Sequence, residues 1–320
     1  MAAFVDGAPC WADVMLPDLE AGKRFYGELF GWTFEGGEEK YGRYTQALLD
    51  GKRVAALAPK PDGRMPTVWN LYFAVQDAAR AAAAIREAGG QVIMDPTQVG
   101  EFGAMLMAAD PGGAVFCCWQ PGSHPGFERQ DVPGTYCWTE VYTREPEAVD
   151  AFYGKVFGFE MAGESLGQQP SSERGGPERA GPERAGPERA DAAKAGESAD
   201  LDDPDSDPDS DPDPDQTAPD QANPAPSVFD FKIWAPAGQP VDAEHAVGGR
   251  CVLDDSFPAE LPAHFLTYFA VADCDAAVRR ARQLGGRVSR EPQDTPYGRF
   301  AIVIDDQGAS FAVIDLAEED

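Results

Sequence analysis

Strand-length apolar runs alternate along this chain with stretches whose apolar positions return every three to four residues. Pro9–Leu16 is the first such run and predicts a strand. Asp18–Leu29 predicts a helix. Asp18 can cap it, Leu19, Gly22, Phe25, Leu29 and Phe30 share one face, and Gly31 ends it. Trp32–Gly36, Tyr44–Leu49 and Arg53–Ala58 predict three strands, with turn signals at Gly36-Gly37 and Asp50-Gly51. The order is β-α-β-β-β. It recurs with a strand at Val68–Val75, a helix at Asp77–Ala88 stopped by Gly89-Gly90, and strands at Gln91–Met94, Met105–Ala108 and Ala114–Trp119. A third copy starts at Tyr136, has its helix at Glu145–Val156, and resumes at a strand predicted for Val228–Trp234. A fourth runs from Phe265 to Asp315.

The copies are related by sequence as well as by pattern. An offset of 127 maps Cys10-Trp11 onto Cys137-Trp138, Phe25-Tyr26-Gly27 onto Phe152-Tyr153-Gly154, and Phe30-Gly31 onto Phe157-Gly158. An offset of 196 maps Tyr72-Phe73-Ala74-Val75 onto Tyr268-Phe269-Ala270-Val271, and Gly89-Gly90 onto Gly285-Gly286. The difference places 69 extra residues in the second half, between Phe159 and Phe265. The fold class is therefore α+β: two tandem domains, 1–126 and 127–320, each of two βαβββ modules.

Composition changes the picture at one place. Residues 176–190 repeat Gly-Pro-Glu-Arg-Ala, and 203–215 alternate Asp with Pro and Ser. Such a stretch has little apolar surface to offset ~1–2 kcal/mol of backbone ordering per residue. Residues 165–226 are expected to be disordered. They read as a repeat expansion tolerated in a surface loop, with a solubility brush or a docking segment for a basic partner as alternatives. Residues 191–220 alone hold 11 Asp, 1 Glu and 1 Lys, a net −11 of the chain's −29. That acidity argues against nucleic acid and against an anionic membrane surface as partners. No apolar run approaches the ~20 residues of a membrane span, and the start lacks a signal-peptide pattern, so a cytoplasmic protein is expected. Six cysteines without a CxxC pair are expected to be reduced and mostly buried.

Pro17-Asp18-Leu19-Glu20-Ala21, Phe25-Tyr26, Phe30-Gly31-Trp32, Tyr72-Phe73-Ala74-Val75, Gly89-Gly90, Asp110-Pro111 and Phe116 together resemble the vicinal oxygen chelate superfamily. That superfamily includes glyoxalase I, bleomycin-resistance proteins and extradiol dioxygenases. The resemblance implies that two modules form a U-shaped sheet around a cavity. It also implies, for metal-using members, a ligand on a module's first strand and a Glu on its last. Here those positions hold Trp11, Asn70, Trp138 and Leu266 on first strands, Cys117 and Ala312 on last strands, and Val54-Ala55-Ala56-Leu57 in the first module. None is His or Glu, so no metal and no cofactor are expected. His124, His245 and His264 are isolated and are expected at the surface or at strand ends.

Alternation puts Trp11, Asp13 and Met15 on one strand face and Trp138, Glu140 and Tyr142 on its counterpart. Asn70, Tyr72, Cys117 and Trp119 are expected to face the first cavity too. An aromatic pocket with one carboxylate suits a flat or cationic small organic molecule. The expected function is metal-free binding of such a molecule. The alternatives are a glyoxalase-like lyase or a hydroxylase or dioxygenase-type enzyme, with Asp13 and Glu140 as acid–base candidates. A further alternative is an interaction scaffold whose cavities are vestigial and filled by core. The two domains are expected to pair within the chain, with a homodimer left open.

Overall fold

A computed structural model describes residues 4–164 and 230–316. The disordered stretch expected at 165–226 lies outside them, as does the start of the strand expected at Val228.

The first module comprises β1 (Pro9–Leu16), α1 (Leu19–Phe30), β2 (Thr33–Gly36), β3 (Thr45–Leu49) and β4 (Lys52–Pro59), with a 3-10 turn at Glu39–Tyr41. The second has β5 (Trp69–Ala74), α2 (Ala78–Glu87), β6 (Gln91–Val99), β7 (Gly103–Ala109) and β8 (Val115–Pro121). The third has β9 (Tyr136–Thr143), α3 (Pro146–Phe157), β10 (Glu160–Glu164), β11 (Phe231–Ala235) and β12 (Gly248–Val252). The fourth has β13 (His264–Ala270), α4 (Cys274–Gln283), β14 (Arg287–Thr295), β15 (Gly298–Ile304) and β16 (Ser310–Leu316). Asp18, Asp77 and Asp273 cap α1, α2 and α4 through their side chains. At α3, Pro146 takes the first turn, where a missing N–H costs nothing.

The strands form two eight-stranded sheets of identical topology, β2-β3-β4-β1-β5-β8-β7-β6 and β10-β11-β12-β9-β13-β16-β15-β14. In each, the first strands of two modules meet antiparallel at the centre: Asp13 opposite Asn70, and Glu140 opposite Leu266. β6 runs to Val99 rather than stopping at Met94. It is an edge strand with a register shift between Met94 and Thr97, where Pro96 removes no needed donor.

Register also locates the extra residues. Thr33 pairs Leu48 where Glu160 pairs Ala235, so the offset has grown from 127 to 187. Asp13 pairs Ala56 where Glu140 pairs Gly249, an offset of 193. Sixty of the 69 thus fall between β10 and β11, six between β11 and β12, and three between β12 and β13.

The helices cover one face of each sheet, and the two covered faces meet, α1 against α4 and α2 against α3. Phe25, Tyr26, Phe30, Trp32, Trp69, Phe269 and Phe311 belong to one buried cluster that spans both sheets. Two hydrogen bonds cross this seam in matching positions. Tyr26 Oη donates to Asp305 Oδ2 at 2.7 Å, and Tyr153 Oη donates to Asp110 Oδ2 at 3.1 Å. The Gly-Gly pairs do two jobs. Gly89 and Gly285 both turn at φ +93°, outside the range most side chains adopt. Gly90 and Gly286 are approach points: a Cβ on Gly90 would sit 2.7 Å from Phe152, and one on Gly286 would sit 3.1 Å from Phe25. Among the described residues, no helix is long and apolar enough to cross a membrane.

Candidate functional site

The face of each sheet away from the helices is a cup. In the first, one row across the strands is Gln46, Ala56, Asp13, Asn70, and the next brings Trp11, Tyr72, Cys117, Met107 and Met94 together. The strands therefore set Trp11, Asp13, Asn70, Tyr72, Cys117 and Trp119 on a single surface.

Asp13 is its centre, 1% exposed. Its Oδ1 accepts from Asn70 Nδ2 at 2.8 Å, and its Oδ2 accepts from Tyr44 Oη and Tyr72 Oη, each at 2.8 Å. Trp11 Nε1 donates to Tyr44 Oη at 2.8 Å, closing a chain of donors onto the carboxylate. Burial raises the Asp13 carboxyl above its ordinary range, and the three hydrogen bonds pull it back only in part. Cys117 is fully buried beside it, and burial together with the Asp13 charge holds its thiol protonated. Trp11, Tyr72 and Trp119 are buried, whereas Gln46, Asn70, Met94, Met105 and Met107 are half-exposed and form the open side.

The segment from Pro121 to Glu128 straps the other side. His124 is not a surface residue: it is 6% exposed, with its ring 4.5 Å from Trp11 edge-on and 5.8 Å from Trp119. Apolar packing of the strap onto the two tryptophans buries it, which position in a linker did not foretell. Burial and the nearby Arg53 charge depress its pKa to about 4, so the ring is neutral at pH 7. Its Nε2 has no partner among the described residues.

The second cup repeats the plan with different chemistry. Glu140 Oε1 accepts from Trp138 Nε1 at 3.3 Å, and Oε2 accepts from Tyr142 Oη at 3.0 Å and Tyr268 Oη at 2.8 Å. Burial raises this carboxyl as well, while those bonds and the charge of Arg290 lower it. Tyr142, Phe231, Leu253, Leu266 and Ile314 form a separate apolar cluster on this face, covered by Val241 and Ala246 from one connection and Phe257 and Leu261 from the next. Those are the connections lengthened by six and three residues. Asp13 and Glu140 thus stand on separate sheets, and the structure does not bring them into one site.

Two hollows each take in one cup-facing tryptophan, and neither is lined by Asp13 or Glu140. One of about 190 Å³ is lined by Tyr136, Cys137 and Trp138, another of about 160 Å³ by Cys10, Trp119 and Pro125, and Phe4 borders both. Each is below the ~300–1,000 Å³ of a drug-sized site.

The structure places Trp11, Asp13, Asn70, Tyr72, Cys117 and Trp119 on the cup face of the first sheet, and Trp138 and Glu140 on that of the second. Tyr44, His124 and Arg290 join them in the structure and were not among the sequence candidates. Tyr268 was legible as the repeat of Tyr72. Tyr44 lies just ahead of a strand two removed from Asp13, and nothing local marks it.

Paired βαβββ modules bent into a cup, with polar groups gathered on the central strands, define the vicinal oxygen chelate class of fold. The family model described as Glyoxalase/Bleomycin resistance protein/Dioxygenase superfamily matches residues 11–118 and 136–312. The chain belongs to that superfamily. It is 32% identical to the anthracycline biosynthesis protein DnrV of Streptomyces peucetius over 333 aligned positions, 99% of this chain and 96% of that one. Its fold is similar to the 2,3-dioxygenase LapB from Pseudomonas sp. KL28, with TM-score 0.57, 12% identity, and coverage of 99% and 95%. It is also similar to the Mn(II)-bound glyoxalase from Novosphingobium aromaticivorans, with TM-score 0.55, 11% identity, and coverage of 99% and 86%.

A divalent ion such as the Mn(II) of that glyoxalase does not fit the residues present here. Among the described residues no group of three or more His, Cys, Asp or Glu converges. The one carboxylate of the first cup already gives three of its roughly four acceptor sites to Tyr44, Tyr72 and Asn70.

Proposed function

We propose that the first cup binds a flat, neutral or cationic organic molecule without a metal ion, oriented by Asp13 and its three donors. The observation that carries this reading is a buried carboxylate satisfied entirely by neutral hydrogen-bond donors, on a surface walled by Trp11, Tyr72 and three half-exposed methionines. Oδ1 keeps a lone pair beside the Asn70 bond, so a donor group on a ligand can join Asn70 there, and a cation gains a charge-assisted bond. Methionine adapts its shape to an aromatic face at little cost. The S. peucetius relative, by its name, serves anthracycline biosynthesis. Polycyclic aromatic ketones are accordingly the class of ligand to try first.

The test uses purified full-length protein. Metal content is measured by mass spectrometry, and tryptophan fluorescence is titrated with an anthracycline and with a cationic bicyclic aromatic. Binding with under 0.1 metal per chain, weakened on the order of tenfold by Asn70→Ala (~1.4 kcal/mol), supports the reading. A stoichiometric divalent ion whose removal abolishes binding, or affinity unchanged in Asn70→Ala and Met107→Ala, overturns it.

A second reading has one observation in its favour. The raised Asp13 carboxyl lies between two phenols, an arrangement that can hold or pass a proton, as in metal-free acid–base catalysis. A turnover rate that falls ~10²-fold or more in Asp13→Asn, with binding retained, would favour that reading.

A further inference from the structure

Two aromatic side chains from opposite edges of the first sheet meet across the mouth of its cup. Tyr41 sits on the 3-10 turn of the connection from β2 to β3, and Phe102 on the β6–β7 hairpin. Five strand spacings separate β3 from β7 in the sheet order, about 24 Å on a flat sheet at ~4.8 Å per spacing. The two rings nevertheless lie 5.4 Å apart, edge to face at 78°. The sheet is curled until its edges touch. Helices occupy its other face, so the contact bridges the open side.

The segment carrying Tyr41 is built to move as a piece. Gly37 N donates to the Tyr44 carbonyl at 3.0 Å and pins its base, while Tyr41 N and Arg43 N donate to the Glu38 carbonyl at 3.0 and 3.1 Å and hold its turn together. Both ends take left-handed backbone, Gly36 and Gly37 at φ +86° and +89°, Gly42 and Arg43 at +64° and +59°. Hinges fall at such element-terminal positions. The tip itself is lightly held. Tyr41 is 45% exposed, with Phe102 against its ring and Lys40 Nζ 4.6 Å from its centroid. The surface ion pair of Arg43 with Glu20, at 4.0 Å, adds little.

The trailing end of the segment runs straight into the site. Tyr44 follows Arg43, donates to Asp13 Oδ2 and accepts from Trp11 Nε1. Lifting the tip draws on the bonds around the carboxylate.

We propose that residues 37–43 form a lid over the first cup, latched by Tyr41 on Phe102, which lifts for a ligand to enter and leave. That a ligand passes beneath it rests on the first-cup reading; the motion of the lid does not.

The first test needs no ligand. Full-length wild type, Tyr41→Ala and Phe102→Ala are treated with methyl methanethiolsulfonate, and each cysteine is followed by peptide mass spectrometry. Cys117, fully buried on the cup face, should react roughly two- to tenfold faster in both variants, the worth of one aromatic pair. Cys274, buried at the start of α4, should keep its wild-type rate. Tyr297→Ala, at the matching hairpin position of the other sheet, should leave Cys117 unchanged. Cys117 reacting at the wild-type rate in both lid variants, or Cys274 speeding in step with it, overturns the lid. The second test follows anthracycline association and dissociation by stopped-flow tryptophan fluorescence. Both should quicken in Tyr41→Ala, with affinity changed less than either rate. Unchanged rates overturn the lid's part in entry. If no ligand binds the wild type, the first-cup reading fails alone, because the labelling uses none.

Discussion

Asp13 and Glu140 are buried acids without a cation in hydrogen-bond contact, and that makes the protein's stability sensitive to pH. Burial holds both carboxyls above their ordinary values of about 3.9 and 4.3. The folded state then binds these protons more tightly than the unfolded chain. Their contribution is fully present below the unfolded values and is lost as pH rises through the folded ones. Urea unfolding followed from pH 5 to 8 should show stability falling with pH, and the slope should flatten in the double variant Asp13→Asn, Glu140→Gln. An unchanged slope would mean both acids are ionised across that range. Which residues share a face was legible, because strand alternation groups Trp11 with Asp13 and Trp138 with Glu140; that this face lines the cup was implied only by the family resemblance. That Tyr44 and His124 join them was not legible. Each arrives through a connection whose path is set by tertiary packing, and no periodicity records it.

At the scale of elements, the helices and most strands were readable to within two or three residues, since caps and turn residues are local; β6, which runs five residues beyond Met94, and β12, which no pattern announced, were not. Asp18, Asp77 and Gly31 act in the structure as their types suggest. The Gly-Gly pairs were half legible: the turn at Gly89 could be inferred, but not that Gly90 admits Phe152 from α3. Gly90→Ala forces a methyl to within 2.7 Å of that ring and 2.8 Å of the Ala109 carbonyl. It should lower stability by about 1–3 kcal/mol, as overpacked sites do. Gly286→Ala should cost less, since its nearest neighbours lie at 2.9–3.1 Å. Thermal melts of the two variants rank them. The strap offers a sharper case: Gly126 has φ +111°, and a Cβ there would sit 2.3 Å from the Cys10 carbonyl. Gly126→Ala should loosen the strap and expose His124, seen as a rise of its NMR-titrated pKa from about 4 toward the ordinary ~6.5.

At the scale of the whole molecule, the helix-covered faces of the two sheets share one core. Tyr26→Phe and Tyr153→Phe each strip a hydroxyl from a buried aspartate, and each should cost about 1.5–3 kcal/mol in urea unfolding, the range for bonds to charged groups. Tyr26→Phe should cost more, because its bond is the shorter one and Trp69 Nε1 also donates to that hydroxyl at 3.2 Å. The duplication made two sheets legible from sequence. How they face each other was not, because Tyr26 and Asp305 are 279 positions apart and neither advertises the other.

Glu164 and Phe231 stand directly opposite each other in the β10–β11 pair, so 66 residues leave and rejoin the sheet at neighbouring points. Replacing residues 166–229 with a four-residue turn should preserve the fold. An ideal closure estimate of (3/2)RT ln(66/6) allows a gain of up to about 2.1 kcal/mol, readable as a higher urea midpoint. The same geometry makes this spot a socket: a foreign domain with adjacent termini could be spliced there, carried on the hairpin's end without levering its strands apart.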